Sequence, residues 1–288
     1  MNLGRPRGQR TALAVLLMTL ALPACGGGGD GNGSGGSGGA GGSGASGGSG
    51  GGGGSVPIEC KSSGATAEMV SVPAGPFLMG CNTAVDNQCE DEEEPSREVT
   101  LNAFQIDKTE VTQDEYTKCV EAGQCTQPSC DWDCDNMDMP ARCLLWADAK
   151  KFCAWAGKRL PTEAEWEKAA RGTDGRKFPW GNQAASCDRL NMKGCVGGPS
   201  PVGAYPDGAS PYGALDMGGN MVEMVSDWYD EQYYQSAPAT NPKGPASGTT
   251  FSGRGGGWNS TAEWHRTSQR DWYGQDRQGP SLGFRCAK

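Results

Sequence analysis

The chain has a single histidine, His265, and none of its 13 cysteines forms a Cys-x2-Cys pair. One histidine excludes a multi-histidine metal centre, and the missing pair argues against a structural zinc site. Positive charge is also short, with 25 Lys and Arg residues against 34 Asp and Glu residues and a formal net charge of −9. A surface of that sign repels phosphate backbones, so we expect no nucleic acid partner.

Much of the negative charge is concentrated in one run, Glu90, Asp91, Glu92, Glu93 and Glu94. Such a run could hold a cation, or it could be a solvated loop. Charge runs usually lie in water, so we expect the loop.

The N-terminal apolar run, residues 12–22, follows three arginines and is too short to span a bilayer comfortably. It ends at Leu22-Pro23-Ala24-Cys25, which resembles a bacterial lipoprotein signal. Residues 1–24 are therefore predicted to be a signal peptide and Cys25 the lipidation site. Gly26 after the lipid-bearing residue resembles lipoproteins sent to the outer membrane. We expect an exported domain that is lipid-anchored in a bacterial cell envelope, at the outer membrane.

Glycine is concentrated in one tract, because 20 of the 47 glycines lie in residues 26–54. The tract has no three-residue period and no proline, which excludes a collagen-like chain. A flexible coil of this length has a root-mean-square span of about 30 Å. Residues 25–54 are thus predicted to be a lipidated tether, and residues 55–288 a folded domain.

Disulfides are the default state of the cysteines that remain in an exported chain. Without Cys25 their number is 12, which is even. Five of them cluster around residues 124–139, a segment too polar to form much of a core unaided. These five are Cys119, Cys125, Cys130, Cys134 and Cys143.

The predicted helices are short and well marked. Thr112 with Glu115, and Thr162 with Glu165, have the capping-box spacing, so helices should begin there and end near Glu121 and before Gly172. A third helix is predicted over residues 146–155. Brief strands are predicted at residues 69–72 and 77–80, and these two are predicted to form a hairpin. A further strand is predicted within residues 97–106. The rest of the chain is rich in turns.

Seven blocks of this sequence resemble, in order, those of the formylglycine-generating enzyme (sulfatase-modifying factor) family, and they extend from Met69 to Cys286. The blocks are residues 69–80 (MVSVPAGPFLMG), 110–112 (EVT), 155–167 (WAGKRLPTEAEWE), 178–182 (FPWGN), 218–220 (GGN), 254–258 (RGGGW) and 283–286 (GFRC).

The resemblance implies a C-type-lectin-like fold of the sulfatase-modifying-factor type. This is an α+β domain with little regular secondary structure, here rich in disulfides. It also implies a disulfide between Cys153 and Cys286. The family's other core bridge has no cysteines here, because Ala170 and Arg270 occupy its two ends.

The resemblance further implies a structural calcium site at Asp216, Gly219, Met221 and Glu223. Calcium takes six to eight oxygen ligands, which two carboxylates and two backbone carbonyls would supply in part. A second family site would begin at Asn191, but no acidic residue follows at a suitable spacing.

Two thiolates that hold copper in the family's enzyme are missing. Their positions are occupied by Ser260 and His265, and Gly257 stands where the family has a serine. A hydroxyl is a hard, weak ligand for Cu(I), so we expect neither copper nor formylglycine-generating activity. His265 is then either a metal ligand, a base beside Ser260, or a loop histidine hydrogen-bonded to a neighbour.

The segment after the missing thiols is rich in aromatic and arginine side chains, which favour recognition at exposed sites. The alternative is that they pack the loop. The candidates for ligand binding are Trp258, Asn259, Trp264, Arg266, Arg270 and Trp272.

Two hypotheses follow from these observations. In the first, the domain is a calcium-stabilised binding module for a protein, peptide or glycan, held at the membrane through Cys25. In the second, it is a metal-dependent oxidoreductase or protein-modifying enzyme of the same family with altered chemistry.

Overall fold

The computed structural model describes residues 60–63 and 67–288. The predicted signal peptide, the lipidation site Cys25 and the whole of the tether lie outside the described residues. Within them, regular structure is sparse and the elements are short. The strands are β1 (Met69–Val72), β2 (Gly75–Met79), β3 (Arg97–Leu101), β4 (Phe104–Asp107), β5 (Val222–Trp228), β6 (Thr250–Arg254), β7 (Asp271–Gly274) and β8 (Leu282–Gly283). The helices are α1 (Gln113–Glu121), α2 (Trp146–Trp155), α3 (Glu163–Arg171) and α4 (Tyr233–Ser236).

The helices begin where the sequence predicts. Thr112 and Thr162 each accept a hydrogen bond from the backbone N–H three residues on, and Glu115 and Glu165 reach back to the threonine N–H groups. Both capping boxes are therefore present. At the start of α2, which has no hydroxyl cap, the Asp148 carboxylate accepts from the backbone N–H of Leu145 at 3.2 Å.

The strands form three small sheets. β1 pairs with β4 and β2 with β3, both antiparallel, while the third sheet has the order β7-β6-β5-β8 with β8 parallel to β5. The predicted hairpin between β1 and β2 is thus wrong. Gly75, with φ of 132°, follows β1 and starts a strand that places Phe77 opposite Val99, and both side chains are buried. Matching apolar residues on β3 decide the pairing of β2.

Aromatic rings fill much of the core between the helices and the four-stranded sheet. The Trp146 ring stacks on Phe251 at a centroid distance of 5.3 Å, and Tyr116 stacks on Phe152 at 5.5 Å. Trp166 of α3 is fully buried. Large rings fixed in this way supply core contacts that a loop-rich chain cannot obtain from long helices or strands.

Disulfides cross-link the irregular segments of the domain. All 12 cysteines in the part of the chain that the structure describes are paired, and the Cys153–Cys286 bond implied by the family resemblance is among them. It joins α2 to the end of the chain. No helix among these residues is long and apolar enough to cross a membrane. The bonds are Cys60–Cys134, Cys81–Cys89, Cys119–Cys125, Cys130–Cys143, Cys153–Cys286 and Cys187–Cys195.

Removing the longest-range disulfide should cost more stability than removing a short one. The Cys153–Cys286 bond closes a separation of 133 residues and Cys187–Cys195 one of 8 residues. Loop-closure entropy predicts losses of about 5 and about 2.5 kcal/mol for the two double Cys→Ser variants. Urea unfolding of both variants checks this, and equal losses would contradict the entropic account.

Candidate functional site

The candidate site lies in the segment that follows β6, where two glycines allow a tight turn. Gly255 and Gly256 have φ values of 87° and 67°, in the left-handed region. A Cβ on Gly256 would lie 2.5 Å from Nδ1 of His265, so a side chain there has no room. The turn brings the backbone of residues 255–257 against the two positions where the family has its thiols.

His265 is buried, and both of its ring nitrogens face backbone carbonyls. Nδ1 lies 2.9 Å from the Gly255 oxygen and Nε2 lies 3.3 Å from the Ser260 oxygen. Burial lowers the pKa of His265 below its usual range, which favours the neutral ring. The hydroxyl of Ser260 instead accepts from the N–H of Gly257 at 3.2 Å.

This geometry favours the hydrogen-bonded loop histidine over the base or the metal ligand. A base would need its free nitrogen at the Ser260 hydroxyl, and a ligand would need a lone pair aimed into an open site. The cavity beside Ser260, Trp264 and Asp271 measures about 10 Å³, room for one water molecule. Among the described residues, no group of three or more His, Cys, Asp and Glu side chains is placed to hold a metal ion.

Two of the predicted ligand-binding residues, Arg266 and Arg270, are buried, and the prediction is wrong for both. Arg266 makes a two-point ion pair with Glu93, at 2.7 and 2.6 Å, and contacts Asp86 at 3.0 Å. Arg270 pairs with Glu163 at 2.8 and 3.1 Å. An exposed recognition role is impossible while these guanidinium groups are enclosed by carboxylates.

The partner of Arg266 comes from the acidic run. Glu93 is fully buried, so the expectation of a wholly solvated loop is wrong at this residue, although Asp91 and Glu94 are exposed. Burial raises the pKa of Glu93, and the hydrogen bonds and charge of Arg266 act against that rise. The charge run thus supplies an interior anion as well as solvated groups.

The other four candidate side chains remain at the surface. Trp272 on β7 is 57% exposed, and Asn259 is also exposed. Trp258 and Trp264 are half-buried, and the Trp258 indole N–H donates to the Pro280 carbonyl at 3.3 Å. We call Trp258, Asn259, Trp264 and Trp272 the aromatic surface.

The predicted calcium loop is built as a tight turn. Asp216 and Gly219 have φ values of 57° and 92°, and a Cβ on Gly219 would meet the Asn191 carbonyl at 2.6 Å. Asp216 accepts from the N–H of Gly203 at 2.6 Å. The backbone therefore has the sharp curvature that brings successive carbonyls together.

Glu223, the second predicted carboxylate, already has two cationic or polar partners. Arg285 donates to its two oxygens at 2.6 and 2.7 Å, and the Trp166 indole donates at 2.8 Å. An ion at the predicted site would have to share this carboxylate with Arg285. The family resemblance alone did not reveal that competition.

Sequence reasoning missed a buried acid beside this loop, Glu110. Burial, together with the charges of Asp216 and Glu223, raises the pKa of Glu110 well above its usual range. Its Oε1 accepts from the Asn220 side chain at 3.1 Å and its carboxyl group hydrogen-bonds Asp216, whereas the Oδ1 of Asn191 has no partner. Hard oxygens of this kind fit Ca²⁺. The only signal in the sequence was that Glu110 opens one of the family blocks.

The comparisons with known proteins agree on the family. Residues 57–288 match the Sulfatase-modifying factor enzyme 1-like domain. The chain is 30% identical over 272 residues to hercynine oxygenase of Mycolicibacterium smegmatis, covering 81% of this chain and 64% of that protein. It is 30% identical over 282 residues to the formylglycine-generating enzyme of Bos taurus, covering 76% of this chain and 74% of that enzyme.

Two solved structures share the fold. PvdO from Pseudomonas aeruginosa has a TM-score of 0.67 at 26% identity, covering 77% of this chain and 94% of that one. Treponema denticola variable protein 1 has a TM-score of 0.64 at 23% identity, covering 76% and 94%. The fold is therefore the α+β, disulfide-rich fold that the resemblance implies, and the chain belongs to the sulfatase-modifying factor family.

Proposed function

We propose that this domain is a ligand- or partner-binding module that has kept the family scaffold without the copper chemistry. The observation that carries the proposal is the pair Ser260 and His265 at the positions of the family's thiols. Relatives of this chain are named as oxidative enzymes, formylglycine-generating enzyme and hercynine oxygenase. That chemistry would need a metal site, and the local geometry supports none at these two residues.

No cysteine is available to replace the missing thiols. Each cysteine of the described residues is in a disulfide, and none lies between Cys195 and Cys286. Both ring nitrogens of His265 lie beside backbone carbonyls, a neutral ring donating to one of the two, and the neighbouring cavity is too small for a peptide substrate. A binding role instead uses groups that are accessible, namely the aromatic surface.

Metal analysis separates the binding module from an enzyme with altered chemistry. Protein purified from an oxidising compartment and loaded with Cu(I) or Fe(II) should retain neither metal after gel filtration, because the described residues around Ser260 and His265 offer no soft or open ligand set. It should also leave a cysteine-containing peptide unoxidised. Stoichiometric copper or iron that disappears in His265→Ala would instead establish the altered enzyme.

The aromatic surface can be tested with glycan and peptide libraries, using tryptophan fluorescence as the readout. A ligand bound there should lose about tenfold or more in affinity in Trp272→Ala, because exposed aromatic anchors dominate such interfaces. Trp155, 40% exposed on α2, is the matched control. Equal losses in Trp272→Ala and Trp155→Ala, or none in either, would contradict this assignment.

The proposal includes structural calcium at the loop of Asp216, Gly219, Met221 and Glu223. Its support is the tight turn and the unpartnered side-chain oxygen of Asn191, which a cation would satisfy. The described carboxylates near the loop outnumber its one nearby guanidinium, that of Arg285. Calcium would supply charge compensation there and no catalytic step.

Chelation tests the calcium site. If calcium is present at about 100 times its Kd, removing it should cost about 2.7 kcal/mol, a drop in Tm of roughly 5 to 10 °C. Asp216→Asn should abolish the response to EGTA, and Asp276→Asn, an exposed control, should retain it. An unchanged Tm of the wild-type domain in EGTA would show that the calcium assignment is wrong.

The cellular location of the domain is part of the same proposal. Lipidation at Cys25 and a tether over residues 26–54 would hold the binding module near an envelope membrane while leaving it free to sample its surroundings. We propose an outer-membrane location because Gly26 follows the lipid-bearing residue, as in lipoproteins that are sent to the outer membrane. Partners would then be envelope proteins, peptides or glycans, with no nucleic acid among them.

A further inference from the structure

An open cleft of about 550 Å³ lies apart from the aromatic surface and shares no residue with it. Its walls come from α2, from the connection between α2 and α3, from the turn between β3 and β4, and from residues 241–243. Small-molecule sites usually occupy 300 to 1,000 Å³, so the cleft has the volume of a ligand site.

The cleft has the opposite charge balance to the whole chain. Lys150, Lys158, Arg159 and Lys243 line it with only one acidic side chain, Glu165, and Lys288 adds a further basic residue. The chain as a whole has 34 acidic residues against 25 basic ones. Basic groups are therefore gathered here against the overall composition, and a cleft lined by one sign of charge concentrates counter-ions.

Two of the five basic side chains are neutralised within the protein. Lys158 pairs with Asp107 at 2.5 Å, and Arg159 makes a two-point ion pair with Glu165 at 2.6 and 2.7 Å. Lys150 and Lys243 have no ion pair with any carboxylate of the residues that the structure describes. The ammonium of Lys150 lies 3.8 Å from the centroid of the Trp146 ring, which holds it beside the cleft.

The nearest buried carboxyls do little to offset these charges. Asp107 is committed to Lys158, and burial raises its pKa above the usual range. Asp227 is buried next to the lining residue Ser226, and burial with the charge of Glu163 raises its pKa to about 7. A ligand in the cleft therefore meets uncompensated positive charge.

The cleft is preformed by backbone contacts between distant segments. Arg159 and Ala287 exchange two backbone hydrogen bonds at 2.9 and 2.7 Å. The N–H of Asn102 donates to the Asn241 side chain at 2.8 Å, which joins the β3–β4 turn to residues 241–243. Binding in a preformed cleft loses little conformational entropy.

We propose that this cleft binds a small organic anion, one that carries a carboxylate, phosphate or sulfate on an apolar body. Lys150 and Lys243 supply the unpaired charges that the anionic group contacts. The exposed side chains of Ala103 and Ala154 supply apolar lining that the body covers, above the buried Leu101 and Leu160. Inorganic phosphate would contact the lysines but not cover the apolar lining, and a neutral aromatic molecule would cover the apolar lining but not pair with the lysines.

Calorimetry with 1-naphthyl phosphate, inorganic phosphate and 1-naphthol tests the proposal on the intact domain. The naphthyl phosphate should bind more tightly than either fragment, and its affinity should fall as salt is raised, because exposed charge pairs are screened. Naphthalene carboxylate and naphthalene sulfonate then distinguish the three anionic groups. Affinity for the naphthyl phosphate should drop about tenfold or more in Lys150→Gln/Lys243→Gln.

The matched control is Lys151→Gln/Lys193→Gln, which removes the same charge from two exposed lysines outside the cleft. All four lysines are exposed, so neither variant should disturb folding. An equal loss of affinity in both double variants would mean that the net charge of the domain, and not the cleft lysines, determines binding, and it would overturn the proposal. Absence of saturable binding by all three naphthalene anions below about 10 mM would also overturn it.

Discussion

Buried ion pairs between arginines and carboxylates are the interaction on which this fold depends. Five arginines are fully buried among the described residues, and each meets at least one buried carboxylate. Enclosing a guanidinium is costly unless its partners are well placed, so each pair fixes the segments that supply it. The pairs are Arg171–Glu167, Arg254–Glu167, Arg266–Glu93, Arg270–Glu163 and Arg285–Glu223.

Helix α3 is the centre of this arrangement. Its buried Glu163 and Glu167 together bind three of the five arginines, which come from α3 itself, from β6 and from the residue before β7. Although burial acts to raise the pKa of Glu163, the charges of Arg270 and Arg254 lower it, so the carboxylate stays ionised. A short capped helix thus organises chain segments that have few ladder hydrogen bonds of their own.

The same pairs determine what the candidate site can do. Arg266 and Arg270 flank the segment that follows His265, and their ion pairs hold it against the acidic run and α3. Residues 266–270 are all buried, and the candidate side chains that reach the surface, such as Trp264 and Trp272, lie on either side of them. No cysteine takes part in these ion pairs, so they do not depend on which residues occupy the positions of Ser260 and His265.

Local rules predicted the local features well. The hydroxyl and carboxylate spacing of Thr112 with Glu115 is sufficient to place a helix start, and an even cysteine count in an exported chain is sufficient to expect disulfides. The resemblance supplied the fold and the Cys153–Cys286 pair. Pairings that depend on tertiary packing leave no such local signal, so neither the pairing of Arg266 with Glu93, 173 residues away, nor that of β2 with β3 followed from the sequence.

A double-mutant cycle on Arg266 and Glu93 tests the central role of the buried pairs most directly. Arg266→Met should cost about 3 to 5 kcal/mol of unfolding free energy, because buried Glu93 loses its ion pair and must stay charged without it or take up a proton, and adding Glu93→Leu should recover most of the loss. The exposed ion pair of Arg159 with Glu165 is the control, and Arg159→Met should cost under about 1 kcal/mol. A loss in Arg266→Met no larger than the control's, with no recovery in the double variant, would contradict the account.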